Sequence, residues 1–72
     1  MSLIFDINNI KNNIAEIKIL CEKMEYTIDK FNKSESKDYE DVMDMEMLHN
    51  RMEENLDRIK RTINELEQYC DE

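Results

Sequence analysis

Two runs of apolar residues, spaced alternately by three and four positions, constrain the fold of this 72-residue chain more than any other feature. This spacing averages 3.5 residues and is the heptad repeat of coiled-coil helices, in which positions a and d are apolar. The a positions are Ile7, Ile14, Cys21 and Ile28 in the first run, then Val42, His49, Leu56, Ile63 and Cys70 in the second. The d positions are Leu3, Ile10, Ile17, Met24 and Phe31, then Met45, Met52, Ile59 and Leu66. The pattern predicts an all-α fold, and the absence of Gly and Pro argues against strands joined by tight turns.

The segment between the runs has no large apolar residue and predicts a bend. Ser2 and Asp38 are suitable N-caps for the two helices. We expect one domain, 1–72, with a helix over about 3–32, a linker over about 33–38 and a helix over about 39–70. Folding at Ser36 gives an antiparallel two-helix coiled-coil hairpin in which each a residue faces a d residue of the other helix. Because the heptad phase continues through the linker, the alternative is one continuous long helix in an antiparallel coiled-coil dimer.

Charge and hydropathy exclude several classes of partner. The net charge of −8 opposes binding to the phosphate backbone of a nucleic acid. The longest apolar runs, such as 3–5 and 19–21, are far too short for membrane insertion. The N-terminus lacks the features of a secretory signal, so we expect a cytoplasmic protein with two reduced cysteines.

The two flanks of the a/d stripe differ in charge. The e positions are mostly Lys and Glu, whereas the g positions are almost all uncharged. An apolar stripe widened to include g is typical of helices packed in a bundle. We therefore predict that two hairpins meet through their g flanks in a four-helix bundle, with the chain itself as partner. The predicted oligomer interface consists of Leu20, Thr27, Leu48, Asn55, Thr62 and Tyr69.

Two further apolar groups lie outside the a/d stripe and predict contacts with another helical protein. Phe5, Ile19 and Tyr26 share the outer f stripe of the first helix, and Met43 and Met47 lie one turn apart on the second. Exposed aromatic and methionine side chains are frequent anchors at protein interfaces.

The chain carries no recognisable catalytic, cofactor-binding or metal-binding motif. His49, predicted opposite Met24, is the polar residue of the a/d stripe, where one such residue commonly fixes helix register. The sequence indicates a non-enzymatic coiled-coil module for protein–protein interaction and oligomerisation, acting as a structural or scaffolding element. The alternative is a small regulatory protein (an inhibitor, chaperone or adaptor) that docks a partner through its outer helix face.

Overall fold

A computed structural model describes residues 2–70, which form two helices packed against each other as a hairpin. Helix α1 spans Leu3–Lys33 and helix α2 spans Tyr39–Leu66, followed by a 3₁₀ turn at Glu67–Tyr69. No strand occurs within residues 2–70. The all-α hairpin predicted from the heptads is therefore confirmed, and the chain does not form a single continuous helix.

The helix ends have the capping interactions that the sequence predicted. The Ser2 hydroxyl accepts a hydrogen bond from the Phe5 amide at 3.1 Å, and the Asp38 carboxylate accepts one from the Glu40 amide at 3.0 Å. These contacts satisfy amide groups that have no partner within the first turn of a helix.

The connection 34–38 closes the C-terminal end of α1 through Lys37. This residue has a φ of 49°, in the left-handed region, and its ammonium group donates to the carbonyl oxygens of Phe31 and Asn32 at 3.2 and 2.9 Å. A positive charge beside unpaired helix carbonyls is favourable, which helps to hold the unusual backbone conformation.

The centre of the contact between the helices is formed by their g positions, and the predicted a/d stripe lies at its edge. The buried residues of the described chain all occupy position g: Asp6, Asn13, Leu20, Asp41, Asn55 and Thr62. Leu20, with 2 % of its surface exposed, is the only apolar residue among them. The prediction of an a/d seam within each chain is therefore wrong, because both helices are rotated so that the g flanks face each other.

Polar contacts cross this interface and fix its register. Asn9 donates to the Thr62 hydroxyl at 3.0 Å, and Lys30 forms an ion pair with Asp41 at 3.2 Å. The Sγ of Cys21 lies 3.8 Å from the sulfur of Met52, as the predicted antiparallel alignment requires. The sequence therefore gives the correct alignment of the helices, although the helices meet through different faces.

Candidate functional site

The rotation of the helices leaves the most regular apolar feature of the sequence uncovered. The large aliphatic a residues are 40–54 % exposed, namely Ile7, Ile14, Ile28, Leu56 and Ile63. Most d residues are half-buried at the edge of the helix–helix contact, including Ile10, Ile17, Met24, Met52 and Ile59. We call the surface formed by the a and d residues of both helices the open a/d face.

Both helices contribute to the same side of the hairpin. Contact between Cys21, an a residue, and Met52, a d residue, joins the two stripes across the helix pair. The c residues Lys23 and Arg51 and the f residues Ile19 and Met47 line a groove together on the outer side. Antiparallel helices that meet g against g have this geometry, since d and a then lie on one side of both helices and c and f on the other. The open a/d face is consequently one continuous surface.

The predicted oligomer interface is largely used inside the chain. Leu20, Asn55 and Thr62 are 1–4 % exposed and lie between α1 and α2. Thr27 and Leu48 are half-buried and line the edge of the outer groove. Only Tyr69 is substantially exposed, at the end of the hairpin. The g flanks are thus not free to form the contact between hairpins, because they already form the contact within one.

The outer face contains a groove of about 470 Å³ that gathers three of the predicted partner-binding residues, Ile19, Tyr26 and Met47. Charged residues of both signs line the same groove, namely Glu22, Lys23, Asp44 and Arg51.

The other two predicted partner-binding residues lie outside this groove. Met43 lies beside Met47 in an adjoining depression lined by α2 residues. Phe5 is 58 % exposed at the start of α1 and lines neither concavity.

His49 is not the polar residue of a packed layer. Its side chain is 61 % exposed, and its Nε2 lies 2.7 Å from a carboxylate oxygen of Glu53 one turn later. The predicted role of His49 in helix register stays a prediction, because its contact with Glu53 lies within α2 and does not reach α1. The hydrogen bond between Asn9 and Thr62, which does join the helices, was not predicted from the sequence. The uncharged g residues predicted that the g flanks pack against another helix. They did not indicate whether that helix belongs to the same chain or to a second copy.

The ion pair between Lys30 and Asp41, near the turn, joins an exposed ammonium group to a buried carboxylate. The Asp41 side chain is only 3 % exposed, whereas that of Lys30 is 61 % exposed. A hydrogen bond to the Asp41 carboxylate, together with its negative charge, raises the pKa of Lys30. The pair compensates a buried carboxylate at the contact between the helices.

Other kinds of site find little support in the described residues. Across residues 2–70, no three His, Cys, Asp or Glu side chains are grouped so that they could hold a metal ion. Neither of the described helices is long and apolar enough to cross a membrane. Comparison of the chain with protein-family models, curated proteins and solved structures gives no match.

Proposed function

We propose that this chain is a non-enzymatic, cytoplasmic oligomerisation module that forms a four-helix bundle with a second copy through the open a/d face. The observation that carries the proposal is the half-exposed row of a residues on both helices. In coiled coils and helix bundles, apolar residues at a strict heptad spacing are covered by the side chains of other helices.

The interior of a single hairpin supports this proposal. Among the described residues, only Leu20 is a buried apolar residue, and the other buried side chains are polar or charged. Ordering a chain costs on the order of 1.5 kcal/mol per residue, which a small domain must offset with buried apolar area. A second hairpin would cover the a and d residues and supply the missing core.

The size of the open a/d face also supports self-association. The hairpin measures 57 × 18 × 14 Å, so its broad side has an area of about 1,000 Å² and a dimer would bury about 2,000 Å² in total, as stable interfaces do. The chain exposes 5959 Å², about 1,200 Å² more than expected for a compact 8.8 kDa monomer. The excess is similar to the area that a second copy would cover.

The heptad positions match those of an antiparallel bundle. In such a bundle a and d residues fill the centre, while neighbouring helices meet alternately through g and through e. The g contacts occur within each hairpin here, which leaves the e flanks, rich in Lys and Glu, to border the contact with the second copy.

Sedimentation equilibrium tests the proposal directly. We expect the wild-type chain to have twice its monomer mass of 8.8 kDa, and Leu56→Glu to dissociate because the substitution introduces a charge into the open a/d face. Met47→Glu is the matched control, since Met47 lies on the same helix and is 60 % exposed compared with 54 % for Leu56, but on the outer side. A wild-type chain that stays monomeric at millimolar concentration would refute the proposal.

The outer groove favours a second candidate function, the docking of a regulatory partner. An apolar centre formed by Ile19, Tyr26 and Met47 with a charged rim has the anatomy of a small protein interface. A helix of another protein is a partner that suits an apolar groove between two helices. This candidate predicts that Tyr26→Ala weakens partner binding while the mass of the assembly is unchanged.

A further inference from the structure

Two symmetric arrangements are possible when two hairpins pack face to face, and they differ in where the turns lie. If the twofold axis runs along the helices, α1 packs beside α2 of the partner and both turns lie at the same end. If the axis runs across the helices, α1 packs beside α1 of the partner and the turns lie at opposite ends. The choice between them rests on the proposed function and deepens it, because it specifies how the second copy is placed.

The e flanks distinguish the arrangements, because they border the contact between the hairpins in both. On α1 the charged e residues are Lys11, Lys18 and Glu25, and on α2 they include Glu46, Glu53 and Lys60. All six are exposed in the hairpin, and Glu53 alone of them also contacts a side chain of its own helix, the His49 imidazole at 2.7 Å.

With the turns at the same end, residues at equal height along α1 and α2 become neighbours across the dimer. The observed contacts fix these heights, since Asn9 meets Thr62. Lys18 would then face the partner's Glu53, which is favourable. Lys11 would face the partner's Lys60, and Glu25 would face the partner's Glu46. Two of the three distinct contacts would therefore be between like charges, which are destabilising.

With the turns at opposite ends, each helix packs antiparallel to its own copy. Lys18 lies at the middle of α1, so Lys11 would face the partner's Glu25 and Glu25 the partner's Lys11. Glu53 lies at the middle of α2, and the same symmetry brings Glu46 and Lys60 together twice. Like charges meet only at the axis, where long side chains can turn toward water.

We infer that the dimer places its turns at opposite ends, with α1 beside α1 and α2 beside α2 of a second copy. Four of its six flank contacts then join opposite charges, compared with two of six in the other arrangement. Such pairs at the rim of an interface govern orientation more than total affinity. The resulting bundle carries the turns about one helix length, roughly 45 Å, apart.

Spin-label distances between the two turns test this inference. Ser36→Cys, in a background of Cys21→Ser and Cys70→Ser, places one label in each turn. We expect a distance of roughly 45 Å or more between labels, whereas turns at the same end would give less than about 25 Å. A dimer with the short distance would overturn the inference and leave the proposed function standing. A wild-type chain that is monomeric in sedimentation equilibrium would overturn both.

A charge reversal at Glu25 is an independent test, because the two arrangements predict opposite changes in the affinity of the dimer. Glu25→Lys converts two favourable contacts into unfavourable ones when the turns lie apart, and we expect about fivefold weaker dimerisation. With the turns together, the same change would relieve repulsion from the partner's Glu46 and strengthen the dimer, which would contradict the inference. Glu22→Lys is the control, since Glu22 lies on the outer side of α1 and changes the net charge equally.

Discussion

Truncation of one isoleucine on the open a/d face gives the most quantitative test of the four-helix bundle. Ile14 is 41 % exposed in the hairpin, so most of that fraction would be covered by a second copy. Full burial of an isoleucine contributes about 1.5–3 kcal/mol, and the uncovered fraction therefore contributes about 1 kcal/mol per chain. The symmetric dimer contains this residue twice, so Ile14→Ala removes about 2 kcal/mol and raises the dissociation constant about thirtyfold.

Ile19→Ala is a closely matched control for this experiment. Ile19 lies on the same helix, has the same side chain and is 54 % exposed, but it lines the outer groove. Both substitutions increase helix propensity by the same amount, so a difference between them reports the face and not the helix. We expect Ile19→Ala to leave the dissociation constant within about twofold of the wild type.

The assay is sedimentation equilibrium at several loading concentrations, with circular dichroism of each sample to establish that it is helical. Dimerisation of Ile14→Ala as tight as that of the wild type would refute a bundle formed through the open a/d face. Equal weakening of the dimer by both isoleucine variants would also refute it, because the open a/d face would then have no special role.

Three further predictions concern stability. The melting temperature should rise by about 3–6 °C for each tenfold increase in chain concentration, because folding is coupled to association; a constant value by circular dichroism would exclude this coupling. Asn55→Leu should raise the free energy of unfolding by about 1 kcal/mol, because the buried side-chain oxygen of Asn55 accepts no hydrogen bond from the described residues. Asn50→Leu is the control, since Asn50 is exposed on the same helix and its substitution should have little effect. A loss of stability in Asn55→Leu would show that the polar side chain is required. Lys30→Met should lower the melting temperature more than Lys33→Met, because it leaves the Asp41 carboxylate buried without its ion-pair partner. Since the folded-state pKa of Lys30 is raised, this difference should be present at neutral pH and diminish as the pH rises above 10.5; equal melting temperatures of the two variants at neutral pH would contradict the assignment.

Local chemistry explains why the two helices and their alignment could be predicted from the sequence. The hydroxyl of Ser2 and the carboxylate of Asp38 cap the helices that follow them, and capping depends on only three or four neighbouring residues. The contact between Cys21 and Met52 follows from the heptad phase once the chain bends at the polar linker. The left-handed backbone of Lys37, by contrast, could not be predicted from the sequence. Glycine or asparagine usually marks such a position, and here it is occupied by a lysine.

The face through which the helices meet could not be predicted, because periodicity identifies an apolar stripe but not the element that covers it. In an isolated coiled coil the a/d stripe faces the partner helix directly. In a four-helix bundle the same stripe points to a shared centre, and each helix contacts its neighbours through the flanks. Asn13 and Asn55 are buried in the hairpin while Ile14 and Leu56 are exposed, which is the distribution that the proposed bundle requires of each chain.

Polar residues between the helices and apolar residues on the open a/d face have different roles in this hairpin: the first align the helices, and the second are available to stabilise an assembly. The contact within the hairpin is mostly polar, and a contact such as Asn9 with Thr62 favours one alignment of the helices, since a shifted alignment would leave those groups unpaired. The apolar residues, whose contacts are less directional, lie on the face proposed for a second copy. A hairpin that is aligned by polar contacts but stabilised mainly by association would have little stability as a monomer. Folding would then depend on chain concentration, and Leu56→Glu would lose helix content as well as dimerisation. A Leu56→Glu chain that remained fully helical as a monomer would show instead that the polar contact suffices to fold the hairpin alone.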